Sequence, residues 1–177
     1  TPAPFNDTQA LAMTQDGSKK YGVTTFSELS QKAPQLVLGG PAEFIEREDG
    51  LKGLQKAYGG FQFKEVKQLG TGSLRYSALL SGQIDVVVAF STDGQINGNH
   101  LVLLKDDKNF YPVYQIAPVV RMDVLQKYPQ IASVLDKVEP LLTTDVMSGL
   151  NWQVDGPDKK EFADVAHAFL VQNGLLK

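Results

Sequence analysis

Residues 84–90 read Ile-Asp-Val-Val-Val-Ala-Phe and form one of the longest, nearly unbroken apolar stretches of the chain. The residues are largely β-branched, and a run of this length predicts a strand rather than a helix. Because apolar residues occupy both faces of the strand, both faces are expected to be covered, as in a parallel sheet. The stretch is far too short to cross a bilayer as a helix.

The segments on either side of this strand alternate between strand and helix patterns. Thr24 or Thr25 can cap a short helix, predicted at Phe26–Ala33, because Glu28 follows three or four residues later as in a capping box. Pro34 ends this helix. The remaining elements of this half are predicted as strands at 10–13, 36–38, 61–69 and 101–104, and as helices at 42–58 (interrupted near Gly50 and Gly53) and 73–81. This alternation is typical of an α/β lobe.

The last third of the chain has a different character. Helices are predicted at 122–127, 130–142 and 144–153, and a further helix is marked by apolar residues at Phe162, Val165, Ala166, Phe169 and Leu170. No strand pattern accompanies these helices, apart from Val119–Val120 at their start. Their apolar faces therefore need a partner surface.

Composition excludes several classes of function. The 177 residues are 42% hydrophobic and carry a formal net charge of −3, which gives no electrostatic reason to expect nucleic acid as a partner. The absence of cysteine excludes a disulfide framework, a thiolate metal site and a cysteine nucleophile.

The remaining residues do not form a catalytic pattern. The chain has two histidines, His100 and His167, and neither lies in a motif typical of a triad or a metal site. Residues 70–73 read Gly-Thr-Gly-Ser before a helix, but the Gly-Lys-Ser/Thr ending of a phosphate-binding loop is missing, so a strand-to-helix turn is favoured. We expect no catalytic residue, no metal and no cofactor.

Six segments, in order and at natural spacing over essentially the whole chain, resemble one known family. They are residues 4–13 (PFNDTQALAM), 43–55 (EFIEREDGLKGLQ), 74–79 (LRYSAL), 85–93 (DVVVAFSTD), 110–118 (FYPVYQIAP) and 150–155 (LNWQVD). The chain is similar to the osmoprotectant-binding proteins of ABC importers, which take glycine betaine, choline or carnitine, and most similar to their OsmF-like branch.

The resemblance implies an α/β fold of the type II periplasmic binding proteins, with two lobes and a ligand cleft between them. Residues 6–115 would form one complete, contiguous lobe, and residues 116–177 the C-terminal helical part of the other, discontinuous lobe. The crossovers near residues 4–6 and 114–118 would act as the hinge. The usual N-terminal segment of the second lobe would be absent from this chain, so self-association or domain swapping is expected.

The resemblance also implies the ligand-binding residues. Family members surround a quaternary ammonium with aromatic rings and hold a carboxylate with a basic residue and hydroxyl groups. The matching positions here are Arg47 for the carboxylate, Tyr114 and Phe90 for the cation, Gln9 at a position where the family usually has tyrosine, and Thr8 and Thr92 as lesser candidates. Gln9 removes one aromatic face from the expected cage.

The function implied is that of an extracytoplasmic, periplasmic solute-binding component. No signal peptide is expected in the chain, because Thr1-Pro2-Ala3-Pro4 has neither a charged nor an apolar leader pattern. It would capture a small zwitterionic or cationic osmolyte and deliver it to the membrane permease of an ABC importer, without catalysis. Two alternatives share the fold: a ligand-sensing (co-inducer) domain of a transcription regulator, and an enzyme adapted from it.

Overall fold

The computed structural model describes all residues, 1–177, and contains one mixed sheet surrounded by helices. The five strands are β1 (Gln9–Met13), β2 (Val37–Gly40), β3 (Glu65–Gln68), β4 (Val86–Phe90) and β5 (Val102–Leu103). The ten α-helices are α1 (Gln15–Tyr21), α2 (Phe26–Lys32), α3 (Ala42–Glu46), α4 (Leu51–Tyr58), α5 (Leu74–Leu80), α6 (Gly94–Gly98), α7 (Met122–Lys127), α8 (Gln130–Val138), α9 (Thr144–Asp155) and α10 (Phe162–Gln172).

The strands follow the order β3-β2-β4-β1-β5 across the sheet. β4 is the central strand, and its first four residues are buried, which confirms the prediction that both of its faces are covered. The parallel arrangement holds for β2, β3 and β4. It does not extend to β1, which pairs in the antiparallel direction with both β4 and β5.

The helix after Thr25 forms as the sequence indicates. The Thr25 hydroxyl accepts a hydrogen bond from the Glu28 N–H at 3.2 Å, and the Glu28 carboxylate accepts one from the Thr25 N–H at 2.9 Å. Hydrogen bonds that the Glu28 carboxylate accepts from the Thr24 N–H, the Thr24 hydroxyl and the Thr25 N–H hold the pKa of Glu28 below its usual value. The capping box therefore fixes the first turn of α2.

Several element boundaries differ from the predictions. Phe61 has a left-handed φ of 61° and is buried, so it interrupts the predicted strand pattern, and the strand begins only at Glu65. The interruption predicted near Gly50 is confirmed, because residues 47–50 form a tight turn in which a Cβ on Gly50 would lie 2.0 Å from the Phe44 carbonyl oxygen. The interruption predicted near Gly53 is wrong, since Gly53 lies within α4. α1 and α6 were not predicted, and Val119–Val120 is not a strand.

The two faces of the sheet bury separate apolar clusters. The larger cluster contains Phe26, Tyr58 and Phe61, whose rings meet edge to face at centroid separations of 5.5 to 6.1 Å. The smaller cluster lies on the opposite face, between α5 and alternate residues of β1 and β4. Successive residues of β1 and β4 therefore point alternately into the two clusters, as the pleat of a sheet requires.

The C-terminal helices form no strand and are only partly covered. Met122, Tyr128 and Val134, in or beside α7 and α8, are all more than 40% exposed. α9 is instead fixed to the loop and helix that follow β4: Ser148 donates a hydrogen bond to the Asp93 carbonyl at 2.8 Å, and Asn151 donates one to the Thr92 carbonyl at 2.9 Å. None of the helices combines the length and apolar character needed to cross a bilayer.

The contact between α6 and α9 depends on glycine at position 98. A Cβ added to Gly98 would lie 2.1 Å from two ring carbons of Trp152, so the indole would have to move. We expect Gly98→Ala to lower the free energy of unfolding by about 1–3 kcal/mol, as measured by urea denaturation.

Gly149, within α9, supplies the matched control. A Cβ there would meet its nearest neighbour, in Asn97, only at 3.8 Å, an ordinary contact. Because alanine favours a helix over glycine by up to about 1 kcal/mol, Gly149→Ala should be neutral or stabilising. Equal destabilisation by both substitutions would show that the close approach of Gly98 to Trp152 has no special role.

Candidate ligand-binding site

The candidate site lies at the edge of the sheet where the parallel strands end. β2 ends at Gly40, β3 at Gln68 and β4 at Phe90, and the antiparallel β1 begins there at Gln9. Ligands of open α/β sheets bind outside the carboxyl ends of the strands, where the loops diverge. Two open pockets, of about 280 and 360 Å³, lie along this edge, lined by the loops that follow β2, β3 and β4 and, in the first pocket, by Asp155 and Lys159. None of the six predicted ligand-binding residues lines either pocket.

Gln9 and Phe90 are brought together by the strand register. They are direct partners in the antiparallel pairing of β1 with β4. Directly opposed residues project to the same face of a sheet and their side chains interact. Phe90 is 43% exposed, so its ring is accessible, and Gln9 is half-buried beside it.

Tyr114 is held next to the start of β1 by the backbone. Its N–H donates a hydrogen bond to Asn6 Oδ1 at 2.6 Å, and its carbonyl accepts one from the Asp7 N–H at 3.1 Å. Asn6 and Gln115 continue this contact as an antiparallel bridge. The two predicted crossovers therefore run side by side, and the Tyr114 side chain remains 51% exposed.

Arg47 lies in the tight turn between α3 and α4 and is paired with Asp49. Its Nε and Nη2 donate to the two carboxylate oxygens of Asp49 at 2.6 and 2.5 Å. This pairing raises the pKa of Arg47 and lowers that of Asp49. The charge of the Tyr114 phenol also raises the pKa of Arg47, but less than Asp49 does.

Thr8 and Thr92 differ in what their hydroxyls do. The Thr8 Oγ1 is buried and has no hydrogen-bond partner, while Thr8 and Gln9 both line a further pocket of about 320 Å³. The Thr92 hydroxyl donates to the Asp7 carboxylate at 2.6 Å, so it already serves to join β4 to the first crossover. A ligand-binding role of either threonine stays a prediction.

A buried ion pair beside the site was missed by sequence reasoning. Arg75 donates to Asp93 at 2.8 Å with a side chain that is 5% exposed, and the Tyr76 hydroxyl donates to the same carboxylate oxygen at 2.5 Å. Burial, followed by the charge of Asp93, raises the pKa of Tyr76 well above its usual range. That oxygen also accepts the Phe90 N–H at 2.9 Å, so the cluster fixes the backbone of a candidate cage residue.

The chain is similar to known proteins in both sequence and fold. The family model for the substrate-binding domain of ABC-type glycine betaine transport systems matches residues 1–172. The ergothioneine transport permease/ergothioneine binding protein EgtU of Helicobacter pylori is 38% identical over 97% of this chain, and the carnitine transport binding protein OpuCC of Listeria monocytogenes is 36% identical over 98%. A crystal structure of a glycine betaine/carnitine/choline ABC transporter protein superimposes on the whole chain with a TM-score of 0.93 at 34% identity.

The chain spans only part of each of these proteins: 30% of EgtU, 56% of OpuCC and 64% of the solved structure. These matches confirm the predicted family and the type II periplasmic binding protein fold, without singling out the OsmF-like branch. They support neither the regulator nor the enzyme alternative, and nothing in them supports domain swapping, so self-association stays a prediction. The chain belongs to the family of substrate-binding domains of ABC-type glycine betaine transport systems.

Proposed function

We propose that the protein is the extracytoplasmic, periplasmic solute-binding component of an ABC importer and that it has no catalytic activity. It captures a small zwitterionic or cationic osmolyte of the glycine betaine type between two lobes and delivers it to the membrane permease. In this proposal residues 6–115 form one lobe, residues 116–177 belong to the other, and the paired crossovers are the hinge.

The observation that carries the proposal is the convergence of unlike groups at one edge of the sheet. Gln9 and Phe90 are opposed across β1 and β4, and Tyr114 is tied to the residues that immediately precede β1. Arg47 follows α3, the helix that begins just after β2 ends at this edge. An accessible phenyl ring, a phenol and a guanidinium offer cation–π contacts to a quaternary ammonium and charge-assisted hydrogen bonds to a carboxylate.

The relatives suggest which ligands to test. Glycine betaine, carnitine and ergothioneine, which appear in the names of matched proteins, each combine a trimethylated ammonium with a carboxylate, whereas choline has the ammonium and a hydroxyl but no carboxylate. The Gln9 amide can donate and accept hydrogen bonds where an aromatic ring is usual in the family. A ligand that carries a further polar group, besides an ammonium and a carboxylate, is therefore a candidate alongside glycine betaine.

We expect Arg47→Ala to weaken the binding of glycine betaine by about tenfold or more, because a charge-assisted contact to the carboxylate is lost. Choline, which has no carboxylate, should bind to this variant no more weakly than to the wild type.

Tyr114→Ala should weaken the binding of both ligands by about threefold to thirtyfold, since both contain the cation that faces the ring. Isothermal titration of the full-length protein measures all four constants.

Lys52→Ala is the control for nonspecific charge effects, because Lys52 is an exposed cation of the same surface and pairs with Glu46 at 2.9 Å. It should leave both affinities unchanged. If the wild type binds none of glycine betaine, carnitine, ergothioneine and choline, the ligand assignment is wrong. If Arg47→Ala weakens choline as much as glycine betaine, Arg47 does not recognise a carboxylate.

A further inference from the structure

A carboxylate already occupies the guanidinium that is proposed to receive the ligand. Asp49 binds the Nε and Nη2 of Arg47 side-on, with both of its own oxygens. This two-point geometry is the one by which arginine recognises a carboxylate ligand. Asp49 and the carboxylate of a bound osmolyte therefore compete for the same donors.

The turn that carries both residues holds them in this arrangement. The Gly50 N–H donates to the Arg47 carbonyl at 3.1 Å and closes the turn, and Gly50 has no space for a side chain. The turn thereby holds Arg47 and Asp49 in the positions in which they pair.

The neighbouring acidic residues have other partners. The Glu48 carboxylate accepts from Lys56 at 2.6 Å, and the Glu46 carboxylate accepts from Lys52 at 2.9 Å. Asp49 is the acidic residue of this turn that pairs with Arg47. Its replacement therefore alters the state of Arg47 without breaking the other two ion pairs.

We propose that Asp49 is a specificity-determining residue, which neutralises Arg47 until a ligand carboxylate displaces it. The inference rests on the proposed function of Arg47. A zwitterion such as glycine betaine has to replace Asp49, whereas a cation without a carboxylate binds with the ion pair intact. Asp49 thus lowers the affinity for the zwitterion, with which it competes for Arg47. It raises the affinity for the cation, which it shields from the positive charge of Arg47, so the difference between the two affinities becomes smaller.

The exposure of the pair makes this exchange feasible. The side chains of Arg47 and Asp49 are 60% and 49% exposed, and exposed ion pairs contribute little net stability. A ligand carboxylate can displace Asp49 at a small cost. The expected effects on affinity are correspondingly modest, about two- to fivefold in each direction.

The test is titration of glycine betaine and choline into full-length wild type and Asp49→Asn, a substitution that removes the charge and preserves the shape. Asp49→Asn should tighten glycine betaine by about two- to fivefold and weaken choline by a similar factor. Glu48→Gln is the matched control, since it removes one negative charge from the same turn while leaving the Arg47 pair in place. It should change neither affinity.

The Arg47→Ala variant distinguishes the effect of the Arg47–Asp49 ion pair on affinity from a general effect of removing a negative charge. In Arg47→Ala, adding Asp49→Asn should no longer tighten glycine betaine, because the guanidinium for which the two carboxylates compete is gone. If Asp49→Asn shifts both ligands in the same direction, or has no effect while Arg47→Ala still weakens glycine betaine, the role of Asp49 is overturned and the proposed function remains. A wild type that binds neither ligand overturns both.

Discussion

Asp93→Ala is expected to lower the free energy of unfolding by about 3–5 kcal/mol, the usual cost of removing one partner from a buried ion pair. The substitution would leave the Arg75 guanidinium, which is 5% exposed, without its carboxylate. It would also remove the acceptor for the Tyr76 hydroxyl and for the Phe90 N–H. The Nε of Arg75 already lacks a hydrogen-bond partner, so no second acceptor is in place to compensate.

Urea denaturation, followed by circular dichroism, measures this loss. Asp123→Ala is the matched control, because Asp123 pairs with Arg121 at 3.3 Å but both side chains are more than 70% exposed. Such a pair contributes little, so the control should unfold at nearly the wild-type urea concentration. If Asp93→Ala costs no more than Asp123→Ala, the Arg75 cluster does not stabilise the loop after β4.

Phe26→Ala is expected to cost about 3–5 kcal/mol, because it opens a cavity at the centre of the larger cluster. Phe26 is 1% exposed, and its ring meets those of Tyr58, Phe61 and Tyr111 edge to face. The contact with Tyr111 also supports the segment that leads to Tyr114. The variant should therefore lose ligand affinity as well as stability.

The same truncation at Phe162 tests this explanation. Phe162 is 74% exposed at the start of α10, so Phe162→Ala removes an equal volume with little loss of packing. Its midpoint in thermal unfolding should stay close to that of the wild type. Comparable losses at the two positions would mean that burial at Phe26 does not determine the cost.

Elements whose formation depends on residues close together in the sequence could be predicted from the sequence. The capping box at Thr25 and the apolar run that became β4 both formed as expected. The direction of β1 was not predictable, because an apolar strand pattern is the same in parallel and antiparallel pairs. The interruption near Gly50 was predicted, but not that it spans residues 47–50, because this depends on a close approach of Gly50 to the backbone of Phe44.

The candidate site was predictable mainly through resemblance. Composition and spacing alone gave no reason to group Arg47 with Tyr114, which lie 67 positions apart in the sequence. Arg75 was missed because an arginine in a helix is usually solvated. Its partner Asp93 follows the next strand, so their contact depends on how α5 packs beside β4.

The position of β1 in the sheet also sets the order in which the protein can fold. β1 is the first strand of the chain, yet its two neighbours are β4 and β5, and the bond from Thr8 to Ser91 closes a loop of 83 residues. Closing such a loop costs conformational entropy before any contact stabilises it, and pairings of this range make folding slow. Both neighbours of β1 come later in the sequence, β4 ending at Phe90 and β5 at Leu103. During synthesis the centre of the sheet therefore cannot close until Phe90 has been made.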